Sequence, residues 1–146
     1  MQNIKKMAKS TVNVIISIGS NTNQEHNVKQ GKTILSRLLH NAEYSRFVWT
    51  EPIGMSNTCK FLNGLCFATT SLSYDKLEAM LKLTERELGR KPEDKNAGIV
   101  ILDLDILLYC NQQRRFSDWE RPYVKQLISE YKNREGMSNE INEIEI

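Results

Sequence analysis

Two aspartates one residue apart, Asp103 and Asp105, interrupt the longest apolar run of the chain, Ile99-Val100-Ile101-Leu102-Asp103-Leu104-Asp105-Ile106-Leu107-Leu108-Tyr109. The run holds β-branched and large aliphatic residues and neither glycine nor proline. It reads as a buried strand, with a buried helix the alternative that periodicity alone leaves open. In a strand, side chains alternate faces at about 3.3 Å per residue, so the two carboxylates share a face roughly 6–7 Å apart, flanked by Ile101 and Leu107. Burying a carboxylate is costly, and two close together repel unless a cation or a shared proton compensates. A hard divalent cation does this: Mg²⁺ takes one or two carboxylates and completes its shell with water and substrate phosphates. A solvated strand face or a pair of arginine ion pairs would also satisfy the two charges.

The elements that must position this pair follow from patterning. Val12, Val14, Ile16 and Ile18 alternate along a first strand, which Gly19-Ser20-Asn21 ends. Val28, Ile34, Leu35, Leu38 and Leu39 make a helical stripe over residues 24–39, weakened by Gly31. Residues 44–50 are aromatic and β-branched, a second strand, followed by a loop over 51–57. Residues 61–70 alternate Phe61, Asn63, Leu65 and Phe67 against Leu62, Gly64, Cys66 and Ala68, a third strand. Ser73 caps a second helix with Leu77, Met80, Leu81, Thr84 and Leu88 as its buried stripe, and Gly89 stops it. Residues 90–97 (RKPEDKNA) form a charged, mobile surface loop ahead of the aspartate strand. After Tyr109, residues 111–115 make a turn, and Tyr123, Val124, Leu127, Ile128 and Tyr131 mark a third helix.

The order β-α-β-β-α-β is ferredoxin-like. It predicts an α+β fold with an antiparallel sheet, two helices on one face, and the opposite face open to ligand or partly covered by the C-terminal helix. Residues 1–11 read as a flexible N-terminus, 12–131 as a single domain, and 132–146 (KNREGMSNEINEIEI) as a disordered tail whose alternating isoleucines leave an added strand open.

Composition narrows the function classes. At 146 residues the chain makes one domain with a proper core. A net charge of +2 is too mild for a nucleic-acid footprint. Cys59, Cys66 and Cys110 form no CxxC pair and leave one over, which fits reduced thiols in a cytoplasmic protein. The basic start lacks the apolar core of a secretory signal, and no run of about 20 apolar residues predicts a membrane span. His26 and His40 are expected at the surface.

Read together, five segments carry a resemblance: Ile18-Gly19-Ser20-Asn21, Thr50-Glu51-Pro52-Ile53-Gly54, Phe61-Leu62-Asn63, Glu85 followed by Leu88-Gly89-Arg90, and Leu102-Asp103-Leu104-Asp105-Ile106. In order and spacing the chain resembles the 6-hydroxymethyl-7,8-dihydropterin pyrophosphokinases of the folate pathway over residues 12–110, with a weaker echo in Arg121-Pro122-Tyr123-Val124. The resemblance implies pyrophosphate transfer from ATP to a pterin alcohol, with Asp103 and Asp105 holding two Mg²⁺ ions across the ATP phosphates. It implies a pterin pocket of Thr50, Pro52, Ile53, Phe61, Asn63 and Tyr123, with Asn63 pairing the ring edge and Tyr123 stacking on its face. It puts Glu85, Arg90 and Arg121 at the nucleotide, with Arg90 neutralising charge on the phosphates during transfer. For each, an ordinary structural role competes: core aromatics, a strand threonine, a solvated amide, a loop cation.

The departures fall among the phosphate contacts. Val100 stands where the family has an arginine and Ile99 where a proline precedes it; Ala97 replaces a tryptophan and Pro92 a second arginine. The segment after the aspartate strand is short, with Arg114-Arg115-Phe116 in place of a proline-histidine pair. Lys91, Lys95, Arg114, Arg115 and Arg121 are the basic residues near enough in sequence to substitute, a lysine less fully than an arginine. Three readings compete: a pyrophosphokinase of reduced turnover, a binding relative that keeps a pterin or nucleotide pocket without catalysis, and a ferredoxin-like RNA-binding module. Residues 61–67 supply the glycine, aromatics and basic residues of an RNA-binding strand poorly.

Overall fold

The computed structural model describes residues 10–52 and 59–134. Along the chain these form β1 (Val12–Ser20), α1 (Gln24–Leu38), β2 (His40–Tyr44), β3 (Val48–Thr50), β4 (Phe61–Thr70), α2 (Tyr74–Glu87), α3 (Asp94–Ala97), β5 (Asp103–Tyr109), β6 (Gln112–Gln113), α4 (Phe116–Trp119) and α5 (Pro122–Lys132). The strands run in the order β2-β4-β1-β5-β6, with β3 also paired to β4. Every pairing is antiparallel. This is the ferredoxin-like arrangement expected from the element order. Among the described residues, no helix is long and apolar enough to cross a membrane.

Strand alternation divides the sheet into two apolar faces. On one, Val14, Ile16, Ile18, Leu104 and Ile106 pack against Val28 and Leu35 of α1 and Leu77 and Leu81 of α2. Each such side chain, fully buried, contributes on the order of 1.5–3 kcal/mol. Gly31, a weak spot by helix propensity, has a packing reason: a Cβ there would lie 3.1 Å from Leu102 Cδ2. On the other face Ile15, Leu65, Phe67, Leu107 and Leu108 are covered by Trp119, Val124, Leu127, Ile128 and Tyr131. The Phe67 and Tyr131 rings stack at 3.6 Å. Leu107 and Leu108 share that face because the β1–β5 register shifts: Ile15 pairs with Leu108 but Ile16 with Ile106. The extra residue is a bulge, which breaks strict alternation.

The ends of α2 follow local chemistry. Ser73 Oγ accepts the Lys76 N–H, as expected of an N-cap. Gly89 then takes φ +111°, and Arg90 N–H donates back to Glu85 O at 3.1 Å. This turn folds Arg90 over the last turn of the helix it leaves.

Several boundaries differ from the expectation. The aspartate strand starts at Asp103 rather than Ile99, so Ile101 lies outside it. Of the strand expected over 44–50 only Val48–Thr50 forms as β3, while His40–Tyr44 makes a separate strand, β2; between them Ser45 Oγ accepts the Leu65 N–H. Met80 is exposed, and Glu85 instead joins the buried stripe of α2. The charged loop contains a helical turn, α3, and the turn after β5 contains β6 and α4. The stop of α2 at Gly89, the exposed histidines and the helix over Tyr123–Tyr131 agree with the patterning. Residues 1–9, the tail beyond 134, and Ile53 with most of its loop lie outside the described residues.

Candidate active site

Helix α5 covers only part of its face of the sheet. Beyond it Asp103 and Asp105 line a cleft of about 620 Å³, alternation keeping both on the same side of β5. Across β1 in the same sheet, β3 and β4 bring Thr50, Phe61 and Asn63 to the cleft, and Arg121 and Tyr123 at the start of α5 close another side. Five residues expected at a site from sequence thus meet Asp103 and Asp105 in one concavity, Thr50, Phe61, Asn63, Arg121 and Tyr123, and Val100, a departure from the family pattern, lines it too. Pro52 is half-buried and is not among the lining residues, and Ile53 is not described.

Asn63 is held in place. Its Nδ2 donates to Thr50 Oγ1 at 2.6 Å, and a Cβ on the facing Gly19 would lie 2.5 Å from its Oδ1. A glycine opposite Asn63 is therefore required by close approach, a reason for the Gly19 of the first motif that sequence alone leaves unstated.

The aspartates are met by cations from behind and beside. Arg90 Nη1 lies 3.2 Å from Asp103 Oδ1, and Lys82 Nζ 3.4 Å from Asp105 Oδ1. Arg115 Nη1 is 3.7 Å from the same Asp105 oxygen. Glu85 does not line the cleft. It is 3 % exposed, accepts the Leu104 N–H at 2.7 Å, and binds Lys82 at 3.1 Å and Arg90 at 3.0 Å. Its buried carboxylate anchors the two cations that reach the aspartates, so Glu85 and Arg90 stand behind the pair rather than in the cleft.

The electrostatics separate two adjacent carboxyls. Burial, with the nearby Asp103 charge, pushes the Asp105 carboxyl up to about 7 against the opposing pull of Lys82 and Arg115. Burial acts on Asp103 as well, but a hydrogen bond with Asp105 and the cations Arg90 and Lys82 outweigh it and hold that carboxyl below its usual range. Protein cations thus supply the compensation that the paired charges require. Burial raises Glu85, while the Leu104 N–H and Lys82 oppose the rise.

The donor set suits a hard divalent ion. Both carboxylates face the cleft, and Asp103 keeps 41 % of its side chain exposed. Among the described residues no group of three or more His, Cys, Asp or Glu side chains gathers to hold a metal. An ion here would draw its remaining ligands from water and substrate oxygens, as Mg²⁺ at phosphate sites does.

Sequence reasoning passed over Lys82, Asp118 and the role of Gly19. Lys82 and Glu85 are three apart on one face of α2, a signal shared with many surface pairs, whereas Arg115 and Asp118, also three apart, meet through a turn with a left-handed residue at Arg115. Of the basic residues near enough to replace a lost arginine, Arg115 and Arg121 line the cleft and Lys91 and Lys95 do not. Arg114 stacks instead over the Tyr74 ring at 4.4 Å.

Comparison with known proteins bears on this geometry. The chain is 30% identical over 138 residues to a folate synthesis bifunctional protein of Arabidopsis thaliana, covering 87% of the chain and 28% of that protein. It is 32% identical over 122 residues to the mitochondrial folate synthesis bifunctional protein of Pisum sativum, covering 76% and 23%. The chain thus spans about a quarter of the length of these plant relatives. A 2-amino-4-hydroxy-6-hydroxymethyldihydropteridine pyrophosphokinase of Porphyromonas gingivalis is 29% identical over 134 residues, covering 80% of the chain and 88% of that protein. The sequence profile described as 7,8-dihydro-6-hydroxymethylpterin-pyrophosphokinase matches residues 15–133, and the chain belongs to that family.

Proposed function

We propose that this chain transfers pyrophosphate from ATP to the hydroxymethyl group of 6-hydroxymethyl-7,8-dihydropterin, with Mg²⁺, two ions when ATP is bound. The observation that carries this reading is a single cleft with the Asp103/Asp105 pair on one wall and the Thr50–Asn63 amide, Phe61 and Tyr123 around the rest. The second group suits a flat heterocycle with a donor–acceptor edge: Asn63 offers a fixed amide, and the two aromatic rings offer faces.

In this reading the pterin alcohol oxygen attacks the β-phosphorus, the bond to the α-phosphate oxygen breaks, and AMP leaves. Asp103 and Asp105 would hold Mg²⁺, which when bound would supply Lewis-acid stabilisation of phosphate charge. Asp105, facing the cleft, is the candidate acceptor for the alcohol proton. Arg121 meets the nucleotide from the start of α5. Arg90, 3.2 Å from Asp103 Oδ1, would supply a cation beside phosphates held at the pair. The reading also takes the protein to be cytoplasmic, where ATP, Mg²⁺ and reduced thiols coexist.

A second reading, a relative that binds without transferring, draws on Val100 lining the cleft where the family carries an arginine. Pterin-dependent formation of AMP from ATP and Mg²⁺ separates the two. AMP appearing only with the pterin supports the enzyme. Saturable binding of both ligands with no AMP supports the binder. Absence of binding by either ligand ends both readings.

A further inference from the structure

We propose that Asp118 is a positioning residue that fixes Arg115 over the aspartate pair, making Arg115 a phosphate contact of this cleft on the side where Val100 offers no charge. The proposal rests on the pyrophosphokinase reading and extends it to two residues which that reading leaves without a role.

Asp118 is a buried carboxylate in the cleft wall. Its Oδ2 accepts from Arg115 Nε at 2.7 Å, and its Oδ1 lies 3.4 Å from Arg121 Nη2. One carboxylate therefore spans two guanidinium groups that both line the cleft. Because Asp118 holds Arg115 through Nε, the Nη edge is turned to Asp105, with Nη1 3.7 Å from its Oδ1. The Nη edge is the part of a guanidinium fork that grips two phosphate oxygens at once.

The backbone is built to hold this pose. Arg115 takes a left-handed conformation, φ +54°, which a non-glycine residue adopts only at a cost in strain. Asp118 N–H donates to Arg115 O at 2.8 Å, closing the turn. The next residue, Trp119, is buried and its indole N–H donates to Leu107 O at 3.0 Å and Arg114 O at 2.9 Å, tying the turn to β5. A pair three residues apart that merely decorated the surface would be worth little and would need neither a buried carboxylate nor a strained backbone. Together these features aim a cation at the place where a polyphosphate lies beside Asp105.

The test measures affinity for α,β-methylene-ATP with Mg²⁺, and separately for the pterin, by calorimetry on the full chain. Variants are Arg115→Ala, Asp118→Asn, the double variant and Arg115→Lys. Asp118→Asn is expected to weaken the nucleotide about ten-fold while leaving pterin affinity within about two-fold, and the loss in the double variant to fall well short of the sum of the two single losses, the remainder beyond Arg115→Ala being the part that acts through Arg121. Arg115→Lys is expected to recover part of the loss, since a point charge without the fork remains. Unchanged nucleotide affinity in Asp118→Asn, or losses that add in the double variant, would overturn the proposal. Equal weakening of both ligands would make Asp118 a structural residue only. If the unaltered protein binds no nucleotide, the pyrophosphokinase reading and this extension fall together; if it binds and only Asp118→Asn is silent, the extension alone falls.

Discussion

Leu104 and Ile106 on one face of β5 alternate with Asp103 and Asp105 on the other, and the two faces differ in every physical respect. The first is sealed under α1 and α2, with Leu104 and Ile106 at most 1 % exposed. The second is covered by α5 only from Leu107 onward, and the carboxylates beyond it are left at a concavity with cations drawn up to them. One strand thus carries stability on one side and stored charge on the other. Packing stabilises the first; the second is held against its own repulsion by Glu85, Lys82, Arg90 and Arg115. A divalent cation bound there, as the proposed function requires, would supply the positive charge that offsets this repulsion.

Substitutions on the two faces should therefore fail in different ways. The largest effect is expected from Asp103→Ala, which should lower pterin-dependent AMP formation by roughly 10²–10³-fold, in the range of removing one electrostatic stabiliser from an active site. The same variant should abolish the rise in Tm that Mg²⁺ with α,β-methylene-ATP gives the unaltered protein. A ligand-induced rise that persists in Asp103→Ala would break the division of labour between the faces. Leu104→Ala, one residue away, should instead cost about 2–5 kcal/mol of stability in urea unfolding while leaving ligand affinity of the folded fraction nearly unchanged. Weakened binding at full stability would show that the apolar face also shapes the site.

A finer comparison uses pH. The folded carboxyl of Asp105 sits at about 7, raised from 3.8. Below about pH 4 the group is protonated both folded and unfolded, and its contribution is fully present. Between about pH 4 and 7 the unfolded chain has released the proton that the native state retains, so stability falls across that window and levels off above it. Asp105→Asn keeps the neutral form at all pH values. It should stabilise the ligand-free protein by on the order of 1–2 kcal/mol at pH 8, with the gain disappearing near pH 4. A destabilised variant at pH 8 would mean that Lys82 and Arg115 outweigh the repulsion. The smallest effect is expected from Val100→Arg, which restores a cation at the cleft and should tighten nucleotide binding about five-fold. Indifference there, read by the same calorimetry, would mean that position 100 does not face the phosphates.

Much of the site was legible because alternation in a strand is a local rule. Asp103 with Asp105, and Phe61 with Asn63, could be placed on common faces from their spacing alone. The helix over Tyr123–Tyr131 was legible from its stripe. Its consequence for the cleft, which it leaves open only beyond Leu107, was not. Glu85 was assigned to the nucleotide by resemblance, yet it lies behind the strand, bound to the Leu104 N–H. Nothing local distinguishes a helix carboxylate that faces a ligand from one that caps a neighbouring strand. Lys82 and Asp118 went unnoticed for a similar reason. Each acts across tens of residues or through a turn whose left-handed backbone at Arg115 has no marker such as glycine.

Sequence by itself determined the order of elements, the face each strand residue takes, and the family to which five spaced motifs belong, because these depend on repeats of two or 3.6 residues and on short-range turn chemistry. Tertiary structure alone decided which cations meet Asp103 and Asp105, where the bulge at Leu107 breaks alternation, and how far α5 reaches across the sheet. Those outcomes depend on the register between strands distant in sequence and on the burial that follows from it. No window of neighbouring residues contains that information.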